Sequence, residues 1–173
     1  MKLTDDDFTL FGLPRRFAVS AAELDERWRA LQAQVHPDRF AAQGAAAQRV
    51  AMQWSVRVNE AHRRLKDPLQ RAAYLCELQG VGIEAESNTR MPAEFLMQQM
   101  AWREALDEAH SAQALEQLEG EVREESRRMQ ASLGQSLDER ADWQQAAERV
   151  RALMFVQKFL QDVARRAQAL EQG

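Results

Sequence analysis

Residues 20–65 read SAAELDERWRALQAQVHPDRFAAQGAAAQRVAMQWSVRVNEAHRRL, two helical periods broken by a stiff tripeptide. Ser20-Ala21-Ala22-Glu23 has the spacing of a capping box, in which the hydroxyl accepts from the third helical N–H and the carboxylate reaches back. Leu24, Trp28, Leu31 and Val35 then recur at helical spacing and form a narrow apolar stripe. Pro37 sets its own φ and biases His36 away from helical geometry, so this helix is expected to stop near Val35. After Gly44 a second period runs from about Ala45 to Leu65 through Val50, Trp54, Val58, Ala61 and Leu65. Two amphipathic helices with a short connector are expected to pack antiparallel. The connector His36-Pro37-Asp38-Arg39 is a poor packing element and a good docking element, because it presents ionisable groups from a stiff tip.

Outward from this hairpin, Leu3–Leu13 holds Phe8, Leu10, Phe11 and Leu13 and reads as one or two helical turns capping a core. Asp67-Pro68 is an N-cap and N1 pair that starts a third helix ending before Gly80. Residues 80–91, GVGIEAESNTRM, have two glycines and no sustained period, which places a linker there. Beyond it the pattern is helical again. Pro92 suits the first turn of a helix to about Ala109, Ser111 caps one to about Leu133, and Asp138 caps one to about Leu170. Short connections predict antiparallel neighbours and hence a three-helix bundle. The expected fold is all-α, with residues 1–79 as one domain, 80–91 as linker and 92–173 as a second domain.

Composition agrees with a helical globular chain. Charged residues make up 29% and the hydrophobic set 45% of 173 residues, and Ala, Gln, Glu, Arg and Leu dominate. The N-terminus MKLTDDDF has no apolar segment of the secretory kind, and no apolar run approaches membrane-spanning length, so a cytoplasmic location is the default and no membrane partner is expected. Cys76 is the only cysteine, which excludes an intramolecular disulfide and a cysteine-cluster metal site. The net charge of −4 is uneven: residues 1–75 carry 12 Lys/Arg against 9 Asp/Glu, and residues 76–173 carry 11 against 18. That asymmetry suggests two surfaces with different partners, and neither half is basic enough to argue for nucleic acid.

Two further helices carry functional signals. At 100° per residue, Phe95, Gln99, Trp102 and Leu106 share one face of the helix after Pro92, with Ala105 and Ala109 beside them. Leu96, Met97 and Met100 lie nearly opposite, and this face continues as Glu104, Asp107 and Glu108. One apolar face suffices for a bundle; a second, rich in Met and running into carboxylates, has the chemistry of a partner-binding surface. On the last helix Trp143, Val150, Leu153, Met154 and Leu160 make the expected packing stripe. Phe155 and Phe159 lie off it, and a domain junction could cover Phe159. Nothing points to catalysis by this chain. His36, His62 and His110 are scattered without metal-ligand spacing, no Gly-rich phosphate loop exists, and Cys76 among Leu75 and Leu78 reads as an inert thiol.

Trp28-Arg29-Ala30-Leu31 with Val35-His36-Pro37-Asp38-Arg39-Phe40 resembles the second helix and loop of a J domain, the module of DnaJ-type co-chaperones. Val58-Asn59-Glu60-Ala61-His62, Leu65-Lys66-Asp67-Pro68 and Arg71-Ala72-Ala73-Tyr74-Leu75 resemble its third helix and exit. Phe8-Thr9-Leu10-Phe11-Gly12-Leu13-Pro14 and Phe95-Leu96-Met97 narrow the resemblance to the HscB family, the specialised J-proteins of iron–sulfur cluster assembly. It covers nearly the whole chain and is strongest over residues 8–76.

The resemblance implies an elongated or L-shaped co-chaperone that is no enzyme and carries no cofactor or metal. By it, His36, Pro37 and Asp38 dock on an HscA-like DnaK-type chaperone and stimulate its ATPase, with Arg27, Arg29 and Arg39 as the basic residues that steer the encounter. Leu96, Met97, Met100, Glu104, Glu108 and, on the last helix, Phe155 bind an IscU-like iron–sulfur scaffold protein. Gln34, Val35 and Ala101 depart from the family pattern: a basic residue, an aromatic and an acid are usual there. The alternative is a general J-domain co-chaperone for unfolded clients, against which the missing Gly/Phe-rich linker and cysteine zinc module argue. Self-association is possible and not predicted.

Overall fold

The computed structural model describes all of residues 1–173. Every regular element is helical, as expected: α1 Asp7–Leu10, α2 Ala21–Val35, a 3-10 segment Pro37–Gln43, α3 Ala45–Lys66, α4 Pro68–Leu78, α5 Ala93–Glu108, α6 Ala112–Asp138 and α7 Trp143–Gln172. Contacts gather into two compact units, Met1–Leu75 and Cys76–Gly173. None of the helices is long and apolar enough to cross a membrane.

In the first unit the Ser20 hydroxyl accepts from the Glu23 N–H and starts α2. The α2–α3 hairpin closes on Leu24, Leu31, Val35, Ala51, Val58, Ala61 and Leu65, all buried. One member of the expected stripe is misplaced. Val50 is 52% exposed and Ala51, at 3%, takes the core position. Along one edge the helices are joined by polar groups. The Trp28 indole N–H donates to Asn59 Oδ1 at 3.0 Å, and its ring stacks on His62, centroids 4.3 Å apart. Asp25 receives His62 at 2.8 Å and Lys66 at 2.6 Å. The Lys66 and His62 hydrogen bonds hold the Asp25 carboxyl at about 2, well below the usual carboxylate range.

A charged residue lies at the heart of this unit. Asp7 is fully buried, with Arg57 at 2.8 Å and Arg64 at 3.1 Å from its two carboxylate oxygens. Its N–H donates to the Tyr74 hydroxyl at 3.0 Å, and Arg64 lies 4.7 Å over the Tyr74 ring. Arg57 also donates to the carbonyls of Leu3 and Asp5, so the N-terminal segment is tied to α3 by one guanidinium. Removing one partner from a buried ion group leaves the others uncompensated. Arg57 and Arg64 side chains keep 19% and 38% of their exposure, which softens the loss. Asp7→Ala is therefore expected to cost about 3 kcal/mol, the low end for such a deletion. The check is the urea midpoint followed by circular dichroism; an unmoved midpoint would show that Asp7 does not hold this end of the chain.

In the second unit Phe95, Trp102, Leu106, Leu115, Leu118, Val122, Ala152, Val156, Phe159 and Val163 form the bundle core. This corrects the expected stripe of α7: Phe159 is fully buried in the bundle core, through the row Ala152-Val156-Phe159-Val163. Ala105, expected beside the packing face of α5, is exposed. The α6 and α7 boundaries also differ. Helix α6 runs on to Asp138, and the cap of α7 is Asp142, whose carboxylate accepts from the Gln145 N–H at 3.1 Å.

Residues 80–91 belong by contact to this second unit. Buried Arg151 donates to the carbonyls of Ile83 at 3.0 Å and Arg90 at 2.7 Å. Cys76 is buried and pushed up to about 11 by that burial, which outweighs the lowering effect of Arg151. A thiol whose folded pKa is raised contributes stability below its ordinary 9.0 and loses it as pH rises toward 11. At pH 8 the native chain is expected to resist a disulfide-exchange reagent and to react only after unfolding in guanidinium. Prompt native reaction would contradict the burial.

Candidate functional site

The tip is built by the end of α2. His36 adopts extended backbone, φ −60 and ψ 127, as expected before Pro37, so α2 stops at Val35. The last carbonyls of a helix need donors. Arg39 supplies one, with Nη1 donating to the Ala33 carbonyl at 2.9 Å. The Asp38 N–H donates to His36 Nδ1 at 3.3 Å, and the Arg39 N–H to the His36 carbonyl at 3.0 Å. The loop is thus tied at both ends by its own groups. The Asp38 side chain itself is 91% exposed and the His36 side chain 54%, with Nδ1 3.6 Å from the carboxylate. The tip continues as the 3-10 segment to Gln43 and turns at Gly44, whose φ is +95.

Arg29 is exposed on α2, two turns before His36. Arg27 is placed differently. Its guanidinium donates to the carbonyls of Phe11 at 2.8 Å and Gly12 at 2.7 Å, and pairs with Glu23 at 2.7 Å. It holds the N-terminal segment against α2. Gly12 has φ +63, and a Cβ there would lie 2.9 Å from Arg27 Nη1, so the contact needs glycine. Beside the tip, Gln34, Val35, Phe40, Val50 and Trp54 line a shallow apolar groove. The sequence pattern hides this groove, because Val50 falls in the helical period that points to the core.

The second candidate surface lies on α5. Leu96 is 49% exposed, Met97 77% and Met100 73%, while Phe95, Trp102 and Leu106 of the same helix are buried. Glu104 and Glu108 are exposed beyond them, as is Ala101. Phe155 is partly buried and touches α5 from the bundle side. Its ring meets Phe95 edge-on with centroids 5.8 Å apart and stacks on Phe159 at 6.3 Å. Arg103 lies 5.7 Å over both the Phe155 and Phe159 rings and pairs with Asp162 at 3.3 Å. No group of three or more His, Cys, Asp or Glu side chains converges anywhere to ligate a metal ion.

A family model described as the HSCB C-terminal oligomerisation domain matches residues 91–164, from just before α5 to well into α7. The chain is 52% identical over 161 residues to the co-chaperone protein HscB homolog of Bordetella pertussis, covering 92% of this chain and 95% of that protein. With the Burkholderia multivorans homolog it shares 51% over 174 residues, 99% of each, so the similarity runs through both units. Among solved structures, HscB from Vibrio cholerae matches with a TM-score of 0.80 at 35% identity, covering 96% of this chain and 99% of that one. The human co-chaperone protein HscB matches with a TM-score of 0.86 at 28% identity, covering 95% and 83%.

Proposed function

Because the chain belongs to the HscB family of co-chaperones, we propose that it serves iron–sulfur cluster assembly as an adaptor between an IscU-like scaffold and an HscA-like DnaK-type chaperone. Residues 1–79 act as the J domain, 80–91 as the connector and 92–173 as the scaffold-binding domain, in the cytoplasm. Asp38 forms a charge-assisted hydrogen bond with an arginine of the chaperone. Pro37, with the ties from Arg39 and His36, limits the loop entropy lost on docking. Arg29 and Arg39 draw the chaperone in, an effect that weakens with salt. Arg27 contributes less, since two carbonyls and Glu23 already engage it.

Leu96, Met97 and Met100 bury against the scaffold, Glu104 and Glu108 supply the charged margin, and Phe155 borders the site. Ala101 removes one charge from that margin. Hydrolysis happens on the chaperone; this chain contributes position and contact. Holding scaffold and chaperone on one polypeptide raises their effective concentration without any new contact between them.

The observation that supports this reading most is an exposed anionic tip braced at both ends, its Asp38 side chain 91% open to solvent. The deciding experiment is ATP turnover by the purified chaperone with this protein, with and without the scaffold. Stimulation by the protein alone, raised further by the scaffold, is expected. No stimulation in either condition would overturn the assignment, and equal stimulation by any unfolded protein in place of the scaffold would favour a general co-chaperone.

A further inference from the structure

Met97 and Met100 lie one helical turn apart and are the two most exposed methionines, at 77% and 73%. Met91, Met129 and Met154 are partly buried, and Met91 Sδ lies 3.3 Å from Gln99 Nε2. We propose that Met97 and Met100 are a reversible oxidation site through which peroxide releases the scaffold from α5; the inference rests on the scaffold-binding role given above. Exposure sets the rate of thioether oxidation, and here the two reactive sulfurs coincide with the apolar centre of the docking face.

The step balances simply. Each thioether sulfur gives an electron pair to one oxygen of hydrogen peroxide, the O–O bond breaks, an S=O bond forms and the other oxygen leaves as water. A sulfoxide reductase with a dithiol reverses it, yielding thioether, disulfide and water. The product is a strong acceptor that must find a donor if it is buried. On the arc of α5 shared with Met97 and Met100, Ala93 and Ala101 carry no polar side-chain group and the carboxylates of Glu104 and Glu108 only accept. Arg103, farther round the helix beside Leu96, is held by Asp162 and by the rings of Phe155 and Phe159. Leu96 alone cannot be oxidised in this way, so two of the three exposed apolar groups turn polar together.

The test treats the full-length protein with hydrogen peroxide, maps sulfoxides by mass spectrometry and measures scaffold affinity by calorimetry. Oxidation is expected at Met97 and Met100 before Met91, Met129 and Met154, with affinity at least about tenfold weaker. Treatment with methionine sulfoxide reductases and dithiothreitol is expected to restore it. Met52, 55% exposed on α3, is the control: Met52→Leu is expected to keep the full peroxide effect. In Met97→Leu with Met100→Leu the affinity ratio before and after peroxide is expected to approach one, whatever its starting value. Unchanged affinity with both sulfurs oxidised, no preference for these two, or a full loss in the double variant would each overturn the proposal. Absence of binding by the untreated protein would instead remove the scaffold reading itself, and the untreated arm tells the two failures apart.

Discussion

Asp38→Asn is expected to abolish most of the chaperone stimulation, by at least about tenfold, while leaving the fold and scaffold binding intact. Asn keeps the shape of Asp and loses its charge. The backbone N–H bond to His36 Nδ1 and the Arg39 tie to Ala33 do not involve the carboxylate, so the loop keeps its form. With 91% of the side chain in solvent, the charge contributes little to stability and is available to a partner. Single-turnover ATP hydrolysis and thermal melting separate the cases. Full stimulation would remove Asp38 from the docking contact, and a lowered melting temperature would make it a structural residue.

Leu96→Ala with Met97→Ala is expected to do the reverse. Each side chain has about half or more of its surface free to be covered by a partner. Burying such a group contributes about 1–2 kcal/mol, so the pair should weaken scaffold binding roughly a hundredfold. Alanine favours helix and the positions lie outside the bundle core, so α5 stays folded. Calorimetry with the scaffold measures the loss, and scaffold-independent ATPase stimulation should persist. If this variant and Asp38→Asn each lost both activities, the division between tip and α5 would be wrong.

Large apolar residues at helical spacing were readable: Leu24, Leu31 and Val35 on α2 and Phe95, Trp102 and Leu106 on α5 pack as their period predicts. What sequence reading missed follows from size and charge. At Val50 and Ala51 hydropathy favours Val, yet the helix crossing takes the smaller residue. On α7 the buried Ala146, Ala147 and Ala152 broaden the packing surface beyond one stripe and bring Phe159 into the core. The α6–α7 turn depends on Ala141 at φ +50, a conformation that alanine does not announce. Residue type does not mark Asp7 and Arg151 as buried, because charge is the usual mark of exposure. The only hint for Asp7 was its place in an apolar segment, with Arg57 and Arg64 two turns apart on α3.

The candidate site was legible for a different reason. A tip residue must stay in solvent, so Asp38 obeys no packing rule and shows itself by the proline beside it. The α5 face was visible as apolar residues left over once the bundle had taken its share. Phe155 was harder to place, being half a core residue through Phe95 and Phe159.

Arg151 also bears on how the chain meets proteases. The Arg90–Met91 bond lies in an exposed, glycine-containing segment after a basic residue, where a trypsin-like enzyme would be expected to cut. Cleavage requires the scissile carbonyl to enter the protease's oxyanion site, and the Arg90 carbonyl is already taken by Arg151 at 2.7 Å. A second clasp at Ile83 keeps the rest of the segment from peeling away. Nicking at Arg90 therefore waits for this clasp to open, and the intact chain should outlast its apparent weak point.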